Sequence, residues 1–107
     1  MANLVELISP PSHPGTFLKE VVLPNMGLTQ GQFAASLKIS RVTLSKLLSG
    51  RQPVTVEMAR RLGRALGTGP RFWLEMQARH DGFQAEKEEP MDIHPIGIVR
   101  QPARQAV

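Results

Sequence analysis

Apolar residues recur at helical spacing in five stretches of this chain, and turn-forming residues separate them. In the first stretch Phe17, Leu18, Val21 and Val22 make the stripe. Pro14 suits a first helical position, and Pro24 predicts an end near Val22, followed by a turn at Asn25-Met26-Gly27. The second stretch opens at Thr29, where Thr29-Gln30-Gly31-Gln32 reads as a capping box. Phe33, Ala34 and Leu37 face inward. Gly31 lowers helix propensity, so this start is held partly by packing. A short turn at Lys38-Ile39 leads to Ser40, a good N-cap for the third helix. Leu44, Leu47 and Leu48 supply its buried i, i+3, i+4 face, and Gly50 suits the position just past its end.

The fourth stretch follows Pro53, is capped by Thr55 and stops at Gly67. Ala59, Leu62 and Leu66 face in, while Glu57, Arg60, Arg61 and Arg64 line the other side. Glu57 and Arg61 form an i, i+4 pair; Arg60 and Arg64 repel at the same spacing. The fifth opens at Gly69-Pro70 and reaches about Gln84, with Phe72, Trp73, Met76 and Phe83 on its apolar face. The pattern therefore predicts an all-α, five-helix domain over residues 14–85. Residues 1–13 form an N-terminal extension that Pro10, Pro11 and Pro14 keep from running as one helix. Its Leu4, Val5, Leu7 and Ile8 are suited to dock on the core or on a second subunit. Residues 86–107 are a C-terminal tail, short and extended or disordered. Ile93, Ile96, Ile98 and Val99 alternate loosely there, and Pro95 allows at most an edge strand.

The second and third helices carry the only specific signal. Two short helices back to back across a tight turn are how a small protein enters the DNA major groove. Arg41, Val42, Thr43 and Lys46 lie off the core face of the third helix. Arg and Lys there can donate to guanine, and Val42 can meet a thymine methyl. Gln30, at the start of the second helix, and Arg51, just past the third, are placed for phosphates. The other reading of the same spacing is a structural α-hairpin that touches no nucleic acid.

Charge distribution favours the first reading. The 107 residues carry a net charge of +4. From Lys38 to Arg71 there are eight Lys/Arg and one acid, a balance of +7. From Glu75 to Asp92 six acids outweigh two bases, a balance of −4. Two surfaces with different partners are implied. The chain has no cysteine, which fits a reducing cytosol and excludes disulfides and thiolate sites. No apolar run approaches the ~20 residues a membrane span needs, and the first residues lack a secretory pattern. His13, His80 and His94 stand far apart, and no zinc, phosphate-loop or nucleophile-elbow motif occurs. No metal, no cofactor and no catalytic role are expected.

Specific pieces of the chain resemble the HigA/VapI family of antitoxins, within the lambda-repressor-like (XRE) helix-turn-helix superfamily. They are His13-Pro14-Gly15, Leu28-Thr29-Gln30, the run SRVTLSKLLSGR from Ser40 to Arg51, and Phe72-Trp73-Leu74 with Gln77. The resemblance spans His13 to Ala85, about two thirds of the chain. It implies a five-helix domain that dimerises, binds an inverted-repeat operator in its own promoter, and neutralises a HigB-like toxin, a small RelE-like ribonuclease that cuts translated mRNA. It places Arg41, Val42, Thr43 and Lys46 at bases and Gln30, Ser40 and Arg51 at phosphates. It also implies a bacterial cytoplasmic, nucleoid-associated protein. The turn position often held by glycine is Lys38 here, which means either a left-handed lysine, costing ~1 kcal/mol, or a different turn.

Three functions share these features. One is a dimeric autorepressor and antitoxin. The second is a toxin-binding inhibitor with a vestigial DNA face, its acidic end meeting a basic ribonuclease. The third is a stand-alone XRE-type transcription regulator. A dimer has a physical reason in the first and third, because one recognition helix reads only a few base pairs. Trp73, Met76, Phe83, Ile93 and Ile96 are the candidates for the seam, and for Trp73 and Met76 the core is the other reading.

Overall fold

The computed structural model describes residues 12–97. All regular structure among them is helical. The first helix, α1, passes without a break through Pro14–Phe17, a π-helical turn at Leu18–Val22 and Leu23–Met26. Four α-helices follow: α2 (Gln30–Leu37), α3 (Arg41–Leu48), α4 (Val56–Leu66) and α5 (Pro70–Lys87). Residues 88–97 carry no regular structure, so the edge strand allowed near Pro95 does not form among the described residues.

Helix α1 outruns the end expected at Val22. In a regular α-helix the Pro24 ring would strike the carbonyl four residues back. The wider π turn avoids this, with the Leu23 N–H donating to the Leu18 carbonyl. The helix then ends at Gly27 in the left-handed conformation, φ 68°.

One core joins all five helices. It comprises Phe17, Leu18, Leu23, Phe33, Ala34, Leu37, Leu44, Leu47, Leu48, Val54, Ala59, Leu62, Trp73 and Met76. Of the two readings open for Trp73 and Met76, core or dimer seam, the fold shows the core and removes them from the seam candidates. They are 1% and 2% exposed within the single chain. The Trp73 ring stacks edge-on with Phe72 at 4.9 Å and tilts against Phe17 at 6.1 Å. Its indole N–H donates to the Thr68 hydroxyl at 2.7 Å. Both partners a tryptophan needs, apolar walls and one acceptor, thus lie inside the chain. Phe83 is half-buried with the Lys87 ammonium 5.1 Å above its ring, and Ile93 and Ile96 are each 74% exposed. The apolar residues at 4–8, together with Ile98 and Val99, lie outside the described residues.

Candidate nucleic-acid interface

The second helix begins as its sequence dictates. The Gln32 amide donates to the Thr29 hydroxyl at 3.1 Å, and the Thr29 amide donates to the Gln32 side-chain carbonyl at 3.0 Å. It ends in a Schellman motif: the Lys38 N–H donates to the Ala35 carbonyl and the Ile39 N–H to the Ala34 carbonyl, both at 3.1 Å. Lys38 takes the left-handed position, φ 57° and ψ 46°. Of the two turns the sequence left open, the strained one is present.

Arg61 stabilises that turn from α4. Its guanidinium donates to the carbonyls of Leu37 at 2.8 Å and Lys38 at 3.2 Å, and pairs with Glu57 at 2.7 Å. The sequence put Arg61 on the outer face of α4. Instead it reaches across to the turn between α2 and α3, half-buried. The unpaired carbonyls at the end of α2 explain the attraction, since helix ends leave acceptors unfilled. Glu57 is held below its ordinary carboxylate range, first by the hydrogen bond from Arg61 and then by its charge.

Ser40 caps α3 by accepting from the Thr43 amide at 3.0 Å, and its hydroxyl lies 2.9 Å from that of Thr43. The cap therefore occupies the Ser40 side chain. Leu44, Leu47 and Leu48 are buried as expected. A second Schellman motif closes α3: the Gly50 N–H donates to Leu47 and the Arg51 N–H to Lys46, at 3.1 and 3.0 Å. This fixes the backbone of Arg51, whose Nε donates to the Ser49 hydroxyl at 3.3 Å. Gly15 supports the end of α3 from behind. A Cβ there would lie 1.8 Å from the Leu47 carbonyl oxygen, so only glycine lets α1 pack this close.

With its leucines buried, α3 turns the expected side chains outward. Arg41, Ser45 and Lys46 are exposed, Val42 is 65% exposed, and Thr43 is half-buried. Gln30 and Arg51 are exposed on flanking segments. A branched apolar side chain this open contributes nothing to the core. The Arg41 guanidinium does not stand free: it lies against Gly31 in the first turn of α2.

Three residues behind this surface make contacts that escaped the sequence, although His13 and Gln77 stand in its family-like motifs. Arg61 is the first, and only the appearance of free carbonyls across the fold reveals it. The second is Gln77, which accepts from the Val54 N–H at 2.6 Å and donates to Asp81 at 2.9 Å, tying the segment after α3 to α5. The third is His13. It caps α1 by accepting from the Gly15 amide at 2.9 Å, and its ring meets that of His80 edge-on at 5.2 Å. His13 is held below the ordinary imidazole value, mainly by burial and then by the His80 charge; Asp81 and a hydrogen bond to the Gln52 backbone act the other way. Among the described residues no cluster of His, Cys, Asp and Glu could hold a metal ion. No described helix is long and apolar enough to cross a membrane.

Comparison with known proteins places this geometry. The HTH_3 family profile, described as helix-turn-helix, matches residues 18–73. The chain is 33% identical over 98 residues to the protein named antitoxin HigA-1 of Vibrio cholerae, covering 88% of this chain and 92% of that one. It superimposes on the solved structure of antitoxin GraA with a TM-score of 0.69, at 36% identity, over 72% of this chain and 83% of that one. It also superimposes on the Pseudomonas aeruginosa antitoxin HigA, solved with the higBA promoter, with a TM-score of 0.67 at 27% identity, over 76% and 98% of the two chains. The chain belongs to the XRE-type helix-turn-helix family, among the HigA and virulence-associated proteins, and it is a DNA-binding regulator rather than an enzyme.

Proposed function

We propose that this protein is a dimeric autorepressor that binds an inverted-repeat operator and neutralises a HigB-like, mRNA-cleaving toxin. The observation that carries the DNA half is α3 itself. It presents Arg41, Val42, Thr43 and Lys46 outward on a helix capped at both ends and buried along one face. Such a helix reaches base edges without reorganising, and Arg, Lys and a methyl-bearing residue match what the major groove displays. Gln30 and Arg51 flank it as phosphate contacts. Ser40 serves through its backbone, since its hydroxyl is committed to the cap. The balance of +7 from Lys38 to Arg71 supplies the sequence-independent attraction. The Pseudomonas aeruginosa relative was solved with its promoter, which supports the same role here.

Two copies seated about 34 Å apart, one turn of DNA, give the specificity that one helix lacks. With Trp73 and Met76 buried, the seam falls to Phe83, Ile93 and Ile96. The acidic stretch from Glu75 to Asp92 is the surface offered to a basic toxin. The protein works in the cytoplasm, on the nucleoid when bound. Two measurements test the reading. The DNA upstream of the gene should shift in a gel at low salt, and no shift refutes the repressor. Co-expression should rescue growth when the adjacent gene is induced, and failure of rescue refutes the antitoxin.

A further inference from the structure

We infer that Gly31 is a specificity-determining residue of the DNA interface, because its bare Cα is the seat on which the Arg41 side chain is positioned. The inference rests on the reading of α3 as a recognition helix. A Cβ placed on Gly31 would lie 3.2 Å from Arg41 Nη2 and 3.3 Å from Cζ and Nε. Three guanidinium atoms at nearly equal distance mean that the planar group turns its face to the Gly31 Cβ position rather than touching it with one corner. Arg41 is the first residue of α3 and Gly31 the second of α2, so the contact spans the two halves of the motif.

Gly31 has no conformational need to be glycine. It sits inside a helix and is absent from the residues with positive φ. Glycine in such a position weakens a helix relative to alanine. No backbone stands where its side chain would go; the three nearest atoms all belong to Arg41. A residue that lowers local stability to leave room for one exposed side chain marks a place where function overrides propensity. An arginine lying on a helix loses rotamer freedom before it binds, so less is lost on meeting a base edge. An added methyl displaces the guanidinium by a few tenths of an ångström from the position it holds against the bare Cα. The bidentate geometry that distinguishes one base from another is sensitive to that displacement, whereas general attraction to phosphates is not.

The test is fluorescence anisotropy with two labelled duplexes, the DNA upstream of the gene and a scrambled version of equal composition. Wild type, Gly31→Ala, Arg41→Ala and the double variant are titrated at one salt concentration. Gly31→Ala should lower the affinity ratio between the duplexes about fivefold, the lower end of what one bidentate contact discriminates. In the Arg41→Ala background the same change should have no effect. Thermal melting should show Gly31→Ala to be as stable as wild type or more so, which separates lost positioning from lost fold. An unchanged ratio in Gly31→Ala while Arg41→Ala lowers it overturns the inference. So does an effect of full size in the absence of Arg41. A wild-type protein that does not distinguish the duplexes refutes the recognition reading itself.

Discussion

Replacing Arg61 with alanine removes the clamp on the turn between α2 and α3, and its cost follows from the geometry. Two hydrogen bonds from a charged donor to the Leu37 and Lys38 carbonyls are lost, at 2.8 and 3.2 Å. A bond of this kind contributes ~1.5–3 kcal/mol when shielded. The Arg61 side chain is 34% exposed, so water competes for both carbonyls and the longer bond adds little. The net loss is about 1.5–2 kcal/mol, which in a domain of this size lowers the melting temperature by roughly 10 °C. The Glu57 pair is solvated and screened by salt, and contributes far less. Circular dichroism melts and urea titrations of Arg61→Ala and Glu57→Gln separate these contributions. Glu57→Gln keeps the carbonyl contacts and should melt close to wild type. Arg61→Lys retains the charge without the fork and should fall between. If Arg61→Ala and Glu57→Gln melt together, the carbonyl contacts stabilise nothing and the clamp is wrong.

Lys38→Gly should raise stability by about 1 kcal/mol, because glycine carries no steric penalty in the left-handed conformation; a lower urea midpoint would show that the lysine is not strained there. Arg51→Ala should weaken binding to all duplexes alike and flatten the plot of log affinity against log salt by about one ion; a loss confined to one sequence would make it a base contact. His13 gives a pH dependence of defined sign. Its folded-state pKa lies below the ordinary 6.5, so the unfolded chain takes up this proton first as pH falls. Its contribution to stability is complete above about 6.5 and is lost as pH drops from there toward the folded value. The urea midpoint of wild type should fall between pH 7.5 and 5.5 more than that of His13→Asn, which can still cap α1; equal falls would remove His13 as the cause.

What was legible in the sequence was local. The capping box of Thr29 and Gln32, the Ser40 cap, the leucine face of α3 and the glycine past its end each depend on residues within a turn of one another. The side chains at 41, 42 and 46 were identified by subtraction, as what remains once Leu44, Leu47 and Leu48 are buried. What escaped depends on distance along the chain. Arg61 meets carbonyls 23 and 24 residues away, and His13 meets His80 across five helices. No periodicity encodes such a meeting. Core and seam both stayed open for Trp73 and Met76 because an amphipathic face does not say what covers it; here α1 and the other helices do. Pro24 misled for another reason, since the rule that proline ends a helix assumes an α turn before it, and the turn there is π.

The central claim is that the outward residues of α3 read base edges, and the affinity ratio between upstream and scrambled duplexes tests it most directly. Arg41, Val42 and Lys46 are replaced together by alanine, with the leucines untouched, and both proteins are titrated by anisotropy at the same salt. Wild type should favour the upstream duplex by about a thousandfold or more. The variant should melt as wild type does and bind the two duplexes almost equally. A folded variant that keeps the wild-type ratio would mean that sequence is read elsewhere.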